Sequence, residues 1–268
     1  MSLKKKLNSG KRIYGTAIVS SSSMWAEVVR QANLDFIFLD TEHFPLGRET
    51  LSNMCTLYSA LGIPQIVRIP SPDPYIACIV LDGGASAILA PYIETAEQVR
   101  DLVGAVKYRP LKGKKLRQIL DGNETMDEKL KNYIDERCSE NLLFINIESL
   151  PAIDNLPELL SVSGLDGVII GPHDLSCSMG LPEEYTHPVF EETVGRIITE
   201  CSRRNLGIGI HLSEKPEQQV RWARKGVTII LHSSDFSLLG TILNREISTI
   251  KAELGDDPDN TGYHSKII

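Results

Sequence analysis

The chain has 268 residues, 42% of them hydrophobic and 24% charged, with a formal net charge of −7. A compact chain of this size buries roughly three quarters of its unfolded surface, so it needs neither disulfides nor a structural metal to hold a core. Composition excludes disordered, collagen-like and disulfide-knotted classes. The acidic balance argues against a nucleic-acid partner, because phosphate neutralisation needs a clustered basic surface.

Lys4, Lys5 and Lys6 open the chain, but Leu7, Asn8, Ser9 and Gly10 follow where a secretory leader would carry an apolar stretch. No run approaches the ~18 continuous apolar residues of a membrane span. The cysteines at 55, 78, 138, 177 and 201 are odd in number and show no metal or redox spacing. Reduced thiols and a cytoplasmic location are expected.

Eight short apolar runs are predicted as strands: Tyr14–Ser20, Phe36–Glu42, Pro64–Pro70, Ala87–Ile93, Leu142–Ser149, Gly167–Pro172, Leu206–Leu212 and Val227–Ser233. Near-continuous apolarity is the mark of parallel strands buried on both faces. Helical patterns fill the gaps. Thr95–Lys107 places Ala96, Val99, Leu102, Val103 and Val106 on one face behind a Thr95 N-cap. Glu214–Lys225 ends at Gly226, suited to a left-handed C′ position. Eight strand–helix units predict a single α/β domain over residues 1–268, a closed (β/α)8 TIM barrel. Residues 1–12 are expected as an N-terminal extension and 255–268 as a tail. Leu111–Thr125 is a polar, basic interruption before an extra helix, Met126–Ser139.

Active sites of this barrel form at the C-terminal strand ends. There the sequence offers Asp40, Glu42, His43, Arg68, Asn146, Glu148, His173, Asp174, His211, His232 and Asp235. Alternation puts Asp40 with Glu42 on one strand face, and Asn146 with Glu148 on another. Glu148 and Asp174 are candidate ligands for one hard divalent cation. Arg68 offers a fork for a carboxylate, and His43 a base or proton shuttle at neutral pH. Neither GxGxxG nor GxxxxGK[ST] occurs, and no predicted strand contains a lysine. Schiff-base aldol chemistry therefore has no candidate, and a carbon–carbon lyase would need a metal-stabilised enolate.

At these residues the chain resembles the HpcH/HpaI aldolases, the metal-dependent pyruvate aldolases of the aldolase/citrate-lyase superfamily. The matching segments are Asp40-Thr41-Glu42-His43, Ile66-Val67-Arg68-Ile69-Pro70, Leu81-Asp82-Gly83-Gly84-Ala85, Ile145-Asn146-Ile147-Glu148, and Asp166 through Gly171-Pro172-His173-Asp174-Leu175-Ser176. The resemblance implies that Glu148 and Asp174 hold magnesium, manganese or cobalt. It implies that Arg68 binds the carboxylate of a 2-oxo acid, helped by the backbone at His173 and Asp174. His43, assisted by Asp40 and Asp82, would move the proton in cleaving a 4-hydroxy-2-oxo acid to pyruvate and an aldehyde. It also implies a hexamer, a trimer of dimers that exchange a C-terminal helix, here Phe236–Leu254. Departures fall at Asn146 (usually Gln), His173 (usually small), the Tyr108–Arg117 stretch and Ser233 (usually Gly), and point to an altered aldehyde side. Two alternatives stand beside the aldolase: a CoA-thioester lyase using the basic segment 111–125, and a non-catalytic relative that keeps the metal and oxo-acid pocket.

Overall fold

The computed structural model describes residues 2–213 and 215–256. In chain order the elements are α1 (Leu3–Asn8), β1 (Ile13–Ala17), α2 (Met24–Gln31), β2 (Phe36–Asp40), α3 (Arg48–Ala60), β3 (Gln65–Arg68) and α4 (Pro74–Asp82). Then come β4 (Ala87–Ala90), α5 (Ala96–Lys107), α6 (Gly113–Leu120), α7 (Glu128–Cys138), β5 (Leu142–Ile147), α8 (Leu150–Asp154), α9 (Leu156–Leu159) and β6 (Gly167–Ile170). The last are α10 (Pro172–Ser178), α11 (Pro188–Arg203), β7 (Gly207–Leu212), α12 (Pro216–Lys225), β8 (Ile229–Ser234) and α13 (Asp235–Leu254).

The eight strands form a closed barrel in sequence order, with β8 returning to β1 in parallel register. Closure leaves no unpaired strand edge. Inside the barrel lie Ile13, Ala17, Phe36, Phe38, Ile66, Leu89, Leu142, Phe144, Ile169, Ile229 and Leu231. The larger core fills the space between the strands' outer faces and the helices. Because side chains alternate, the inward face that begins with Phe36 and Phe38 ends at Asp40. By the same parity Ile66 leads to Arg68, and Phe144 to Asn146 and Glu148. The last inward layer of the barrel is thus polar, above apolar layers.

Small residues make room for those rings. A Cβ at Gly15 would lie 2.4 Å from the Phe36 ring, and one at Gly167 would lie 2.5 Å from the Gly207 carbonyl oxygen. The Gly167 contact is backbone and cannot rotate away. Gly167→Ala is expected to destabilise by about 1–3 kcal/mol through overpacking, read as a lower urea midpoint at unchanged slope.

Residues 1–12 are more than an extension. Leu3 and Leu7 pack onto the barrel's inner cluster, Lys6 pairs with Asp35 at 2.6 Å, and Lys4 donates to the Ser139 carbonyl at 2.5 Å. α1 therefore closes the N-terminal mouth. The Thr95 cap is present as a full capping box with Gln98. Gly226 ends α12 at φ 120°; the expected helix start at Glu214 lies outside the described residues. Segment 111–125, expected as a polar interruption, contains α6. Its Leu116 and Leu120 lie close enough to α5 that a Cβ at Gly104 would meet each at 3.1 Å. Of the tail, residues 257–268 lie outside the described residues.

α13 departs from barrel practice. Asp235 is its one buried residue, while Phe236, Leu238, Leu239, Ile242, Leu243, Ile247, Ile250 and Leu254 are all exposed. Its first turn is nevertheless anchored. The Asp235 carboxylate accepts from the amides of Val19 and Ser20 at 2.9 and 3.0 Å, tying the helix to the loop after β1.

Candidate active site

Asp40, Glu42, Arg68, Asn146 and Glu148 converge at the C-terminal ends of β2, β3 and β5. Arg68 makes a two-pronged contact with Asp40: Nε donates to Oδ1 at 2.9 Å and Nη2 to Oδ2 at 2.5 Å. Its Nε also lies 3.1 Å from Glu42 Oε2. Both partners are buried, and the guanidinium sits 5.6 Å above the centre of the Phe38 ring. Burial pushes the Asp40 carboxyl up, but the hydrogen bonds and charge of Arg68 outweigh it and hold the group below the ordinary carboxylate value.

The expected partnership between Asp40 and His43 takes an indirect form. Asp40 Oδ1 accepts from the amides of Glu42 at 3.0 Å and His43 at 3.5 Å, so it fixes the backbone that carries the imidazole. The imidazole Nε2 lies 3.8 Å from Glu42 Oε2. Glu42 is therefore the acid beside His43 within this chain, and its buried Oε2 has no hydrogen-bond partner.

Glu148 is buried with both oxygens engaged. Oε1 accepts from the Tyr92 amide at 2.7 Å, and Oε2 from Asn146 Nδ2 at 2.6 Å. Burial raises its pKa; the two hydrogen bonds oppose this, while the charges of Asp174 and Glu42 add to it. Each oxygen keeps a lone pair for a cation. Gly171 permits the approach: a Cβ there would meet Glu148 Oε2 at 3.0 Å. Asp174 stands exposed in the first turn of α10. Its neighbour His173 is also exposed, with Nδ1 3.9 Å from Glu183 Oε1, and points to the loop before α11.

Asp82 does not join this cluster. It is at the C-terminal end of α4, hence at the opposite end of the barrel, paired with Arg109 at 2.7 Å. Within one chain it cannot assist His43. Segment 108–125 lies at that same end, between α5 and β5, so its departures do not alter the aldehyde side of the chain's own site. The half-buried Lys107 is there too, bound to Asp166 at 2.5 Å, with desolvation lowering its pKa despite that partner. It offers no Schiff-base nucleophile at the catalytic end.

Two site residues carried weak sequence signals. His211 ends the inward face of β7, packed edge-on to Phe38 at 5.6 Å, with Nε2 3.3 Å from the Ser233 carbonyl oxygen. Burial first, then the Arg68 charge, lowers its pKa to about 4, so it is neutral at physiological pH. Tyr92 was hidden in an apolar strand end. It is one of five non-glycine residues with positive φ among the described residues, with Asn33, Glu183, Asn205 and Ser233. The two asparagines turn at the N-terminal face, where this conformation is cheap for Asn. Tyr92, Glu183 and Ser233 stand at the catalytic face, where strain concentrates in enzymes.

Comparisons with known proteins identify the family. The family described as HpcH/HpaI aldolase/citrate lyase matches residues 17–239. A hydroxypyruvate/pyruvate aldolase of Roseobacter denitrificans is 33% identical over 207 residues, covering 77% of this chain and 80% of that protein. A 2-keto-3-deoxy-L-rhamnonate aldolase of Klebsiella pneumoniae is 28% identical over 260 residues, 97% of each. The crystal structure of an HpcH/HpaI aldolase from Desulfitobacterium hafniense superposes with a TM-score of 0.82 at 26% identity, covering 94% of this chain and 97% of that one. With the barrel, the buried Glu148 and the Arg68–Asp40 pair in place, the chain belongs to the HpcH/HpaI aldolase/citrate lyase family.

Proposed function

We propose that this chain is a divalent-metal-dependent aldolase that cleaves a 4-hydroxy-2-oxo acid to pyruvate and an aldehyde. The observation that carries this reading is the buried, hydrogen-bonded Glu148 carboxylate with Asp174 and Glu42 nearby and Arg68 within the same cluster. A buried acid facing like charges is costly unless a cation neutralises it. The oxygen-only donors suit magnesium, manganese or cobalt. Glu148 and Asp174 would hold the ion, with water completing its shell; among the described residues no group of three or more metal-binding side chains occurs. When bound, such an ion stabilises the enolate oxygen of pyruvate.

The chain's own residues supply the rest. Arg68 has Nη1 free of Asp40 and directs it at the substrate carboxylate, in a position fixed by the two-pronged pair. His173 and Asp174, opening α10, present backbone amides to the same group. His43 takes the proton from the 4-hydroxyl during cleavage, with Glu42 beside its Nε2. Asp82 takes part in this proton path only if a second copy of the chain supplies it.

The test is pyruvate release from a panel of 4-hydroxy-2-oxo acids with and without EDTA. Turnover that stops with EDTA and returns with manganese is expected; turnover indifferent to chelation would end the reading. Within one chain the CoA-thioester alternative has lost its observation, because segment 111–125 lies at the end of the barrel opposite this site.

The bare face of α13 supports a homo-oligomer in which this helix packs on a second copy. Leu239→Asp with Leu243→Asp is expected to lower the mass measured by light scattering to that of one chain, while the far-ultraviolet spectrum stays native. No helix among the described residues is long and apolar enough to cross a membrane, and we place the enzyme's work in the cytoplasm on the strength of its free thiols.

A further inference from the structure

His211 stands on the barrel's inner face and has no part in the proposed proton path. It pairs across the ladder with Leu231 of the inner cluster, so its ring enters the barrel. There it meets the Phe38 ring edge-on at 5.6 Å, while the Arg68 guanidinium lies over the same ring, also at 5.6 Å. Phe38 thus seats both the imidazole and the guanidinium.

The backbone of β8 sets the tautomer of this imidazole. Against β1, Gly15 pairs with Leu231 but Ala17 with Ser234, so β8 carries one extra residue there. Such a bulge re-aims the chain beside active sites. Ser233 lies in it at φ 55°, and its carbonyl oxygen is 3.3 Å from His211 Nε2. A carbonyl only accepts, so Nε2 carries the hydrogen and Nδ1 the lone pair. Burial keeps the ring neutral, its pKa lowered to about 4. Among the described residues no donor meets Nδ1, and Nδ1 is not sealed from solvent. An acceptor fixed in this way beside Arg68 calls for a donor on the substrate.

We propose that His211 is a specificity-determining residue: Nδ1 accepts from a hydroxyl on C3 of the substrate, so the chain takes a 3-hydroxy-2-oxo acid as its nucleophile half in preference to pyruvate. This deepens the aldolase reading and rests on it. C2 of a 2-oxo acid is trigonal. With the carboxylate at Arg68 on β3 and the 2-oxo group on the side of Glu148 on β5, C3 takes the third direction, toward β7. A methyl there leaves the imidazole acceptor unpaired, whereas a hydroxyl pairs it. Sites built to bond a substrate hydroxyl reject the analogue that lacks it.

The experiment measures kcat and KM for hydroxypyruvate and for pyruvate in the synthetic direction, with manganese and one acceptor aldehyde common to both. Wild type should favour hydroxypyruvate about tenfold in kcat/KM, the scale of one neutral hydrogen bond. His211→Phe keeps an aromatic edge against Phe38 and deletes the acceptor. The preference should vanish through hydroxypyruvate alone, with the pyruvate values moving less than about threefold. His211→Ala, which adds no volume, is read the same way should the phenyl ring prevent folding. Parity or a pyruvate preference in wild type, a preference that survives in the variants, or equal losses on both acids would each overturn the proposal. If neither acid reacts with any aldehyde, the aldolase reading fails separately. Calorimetric binding of the two acids in the presence of manganese then decides. Tighter binding of hydroxypyruvate that His211→Phe abolishes sustains the role of His211, and equal affinities or no binding end it.

Discussion

Glu148→Gln is expected to lower kcat by about 10²–10³-fold, because the cation that would stabilise the enolate loses its buried carboxylate ligand, a loss on the scale of one preorganised electrostatic element. The loss should come without loss of fold. The new amide fills the same volume, and its oxygen can still accept from the Tyr92 amide. On the other side a donor would face Asn146 Nδ2, but Asn146 Oδ1 is buried without a partner. Turning the Asn146 amide over restores that hydrogen bond. Stability should also respond to pH in a defined direction. The raised pKa of Glu148 means that the cation-free native state binds its proton more tightly than the unfolded chain. Stability is therefore lost as pH rises from the ordinary carboxylate value of 4.5 toward the raised one. The substitution should remove that slope, and with it the rise in Tm that manganese gives the wild type. A variant that still gains Tm from manganese would place the cation elsewhere.

Asp40→Asn should be the largest stability defect in the site. It leaves the buried Arg68 charge without its two-pronged partner and sets an amide donor against Nη2. Breaking a buried pair from one side costs about 3–5 kcal/mol. Glu42 at 3.1 Å remains to Arg68, which favours the low end. At roughly 2–4 °C per kcal/mol for a chain of this size, Tm should fall by roughly 6–12 °C. The pH sign is opposite to that of Glu148. Asp40 is held below its ordinary value of 3.8, so its contribution is present above that pH and lost on acidification through the lowered value. Replacing both members, Arg68→Met with Asp40→Leu, should recover most of the stability and none of the turnover. Recovery of turnover would remove Arg68 from substrate binding.

The barrel was legible because parallel strands buried on both faces leave no polar gaps. The eight apolar runs could be located without knowing what packs on them. Their C-terminal ends were overrun at Glu42, Ile93 and Ser149, where the ladder stops but apolar or functional residues continue. Those overruns carry the site, so the same feature that blurred the boundaries marked the chemistry. Arg68, Glu148 and Asp40 were found through strand parity and family motifs. Asp82 stands apart from the cluster within one chain, because a linear motif does not say at which end of the barrel its residues emerge. Tyr92 was missed because a φ of 55° and an amide donor leave no trace in residue identity. α6 was missed because its packing rests on Leu116 and Leu120 amid basic residues, a weaker signal than a full apolar stripe.

The uneven placement of left-handed residues has a consequence for engineering. At the N-terminal face such turns use asparagine or glycine, and little is left to gain there. At the catalytic face Glu183 and Ser233 adopt them at φ 62° and 55° with side chains that fit poorly. Glycine at Glu183 or Ser233 would relieve that misfit at the cost of a looser unfolded chain. Room for a more heat-resistant version of this enzyme therefore lies at the catalytic face, where each relaxation trades against the geometry of the candidate site.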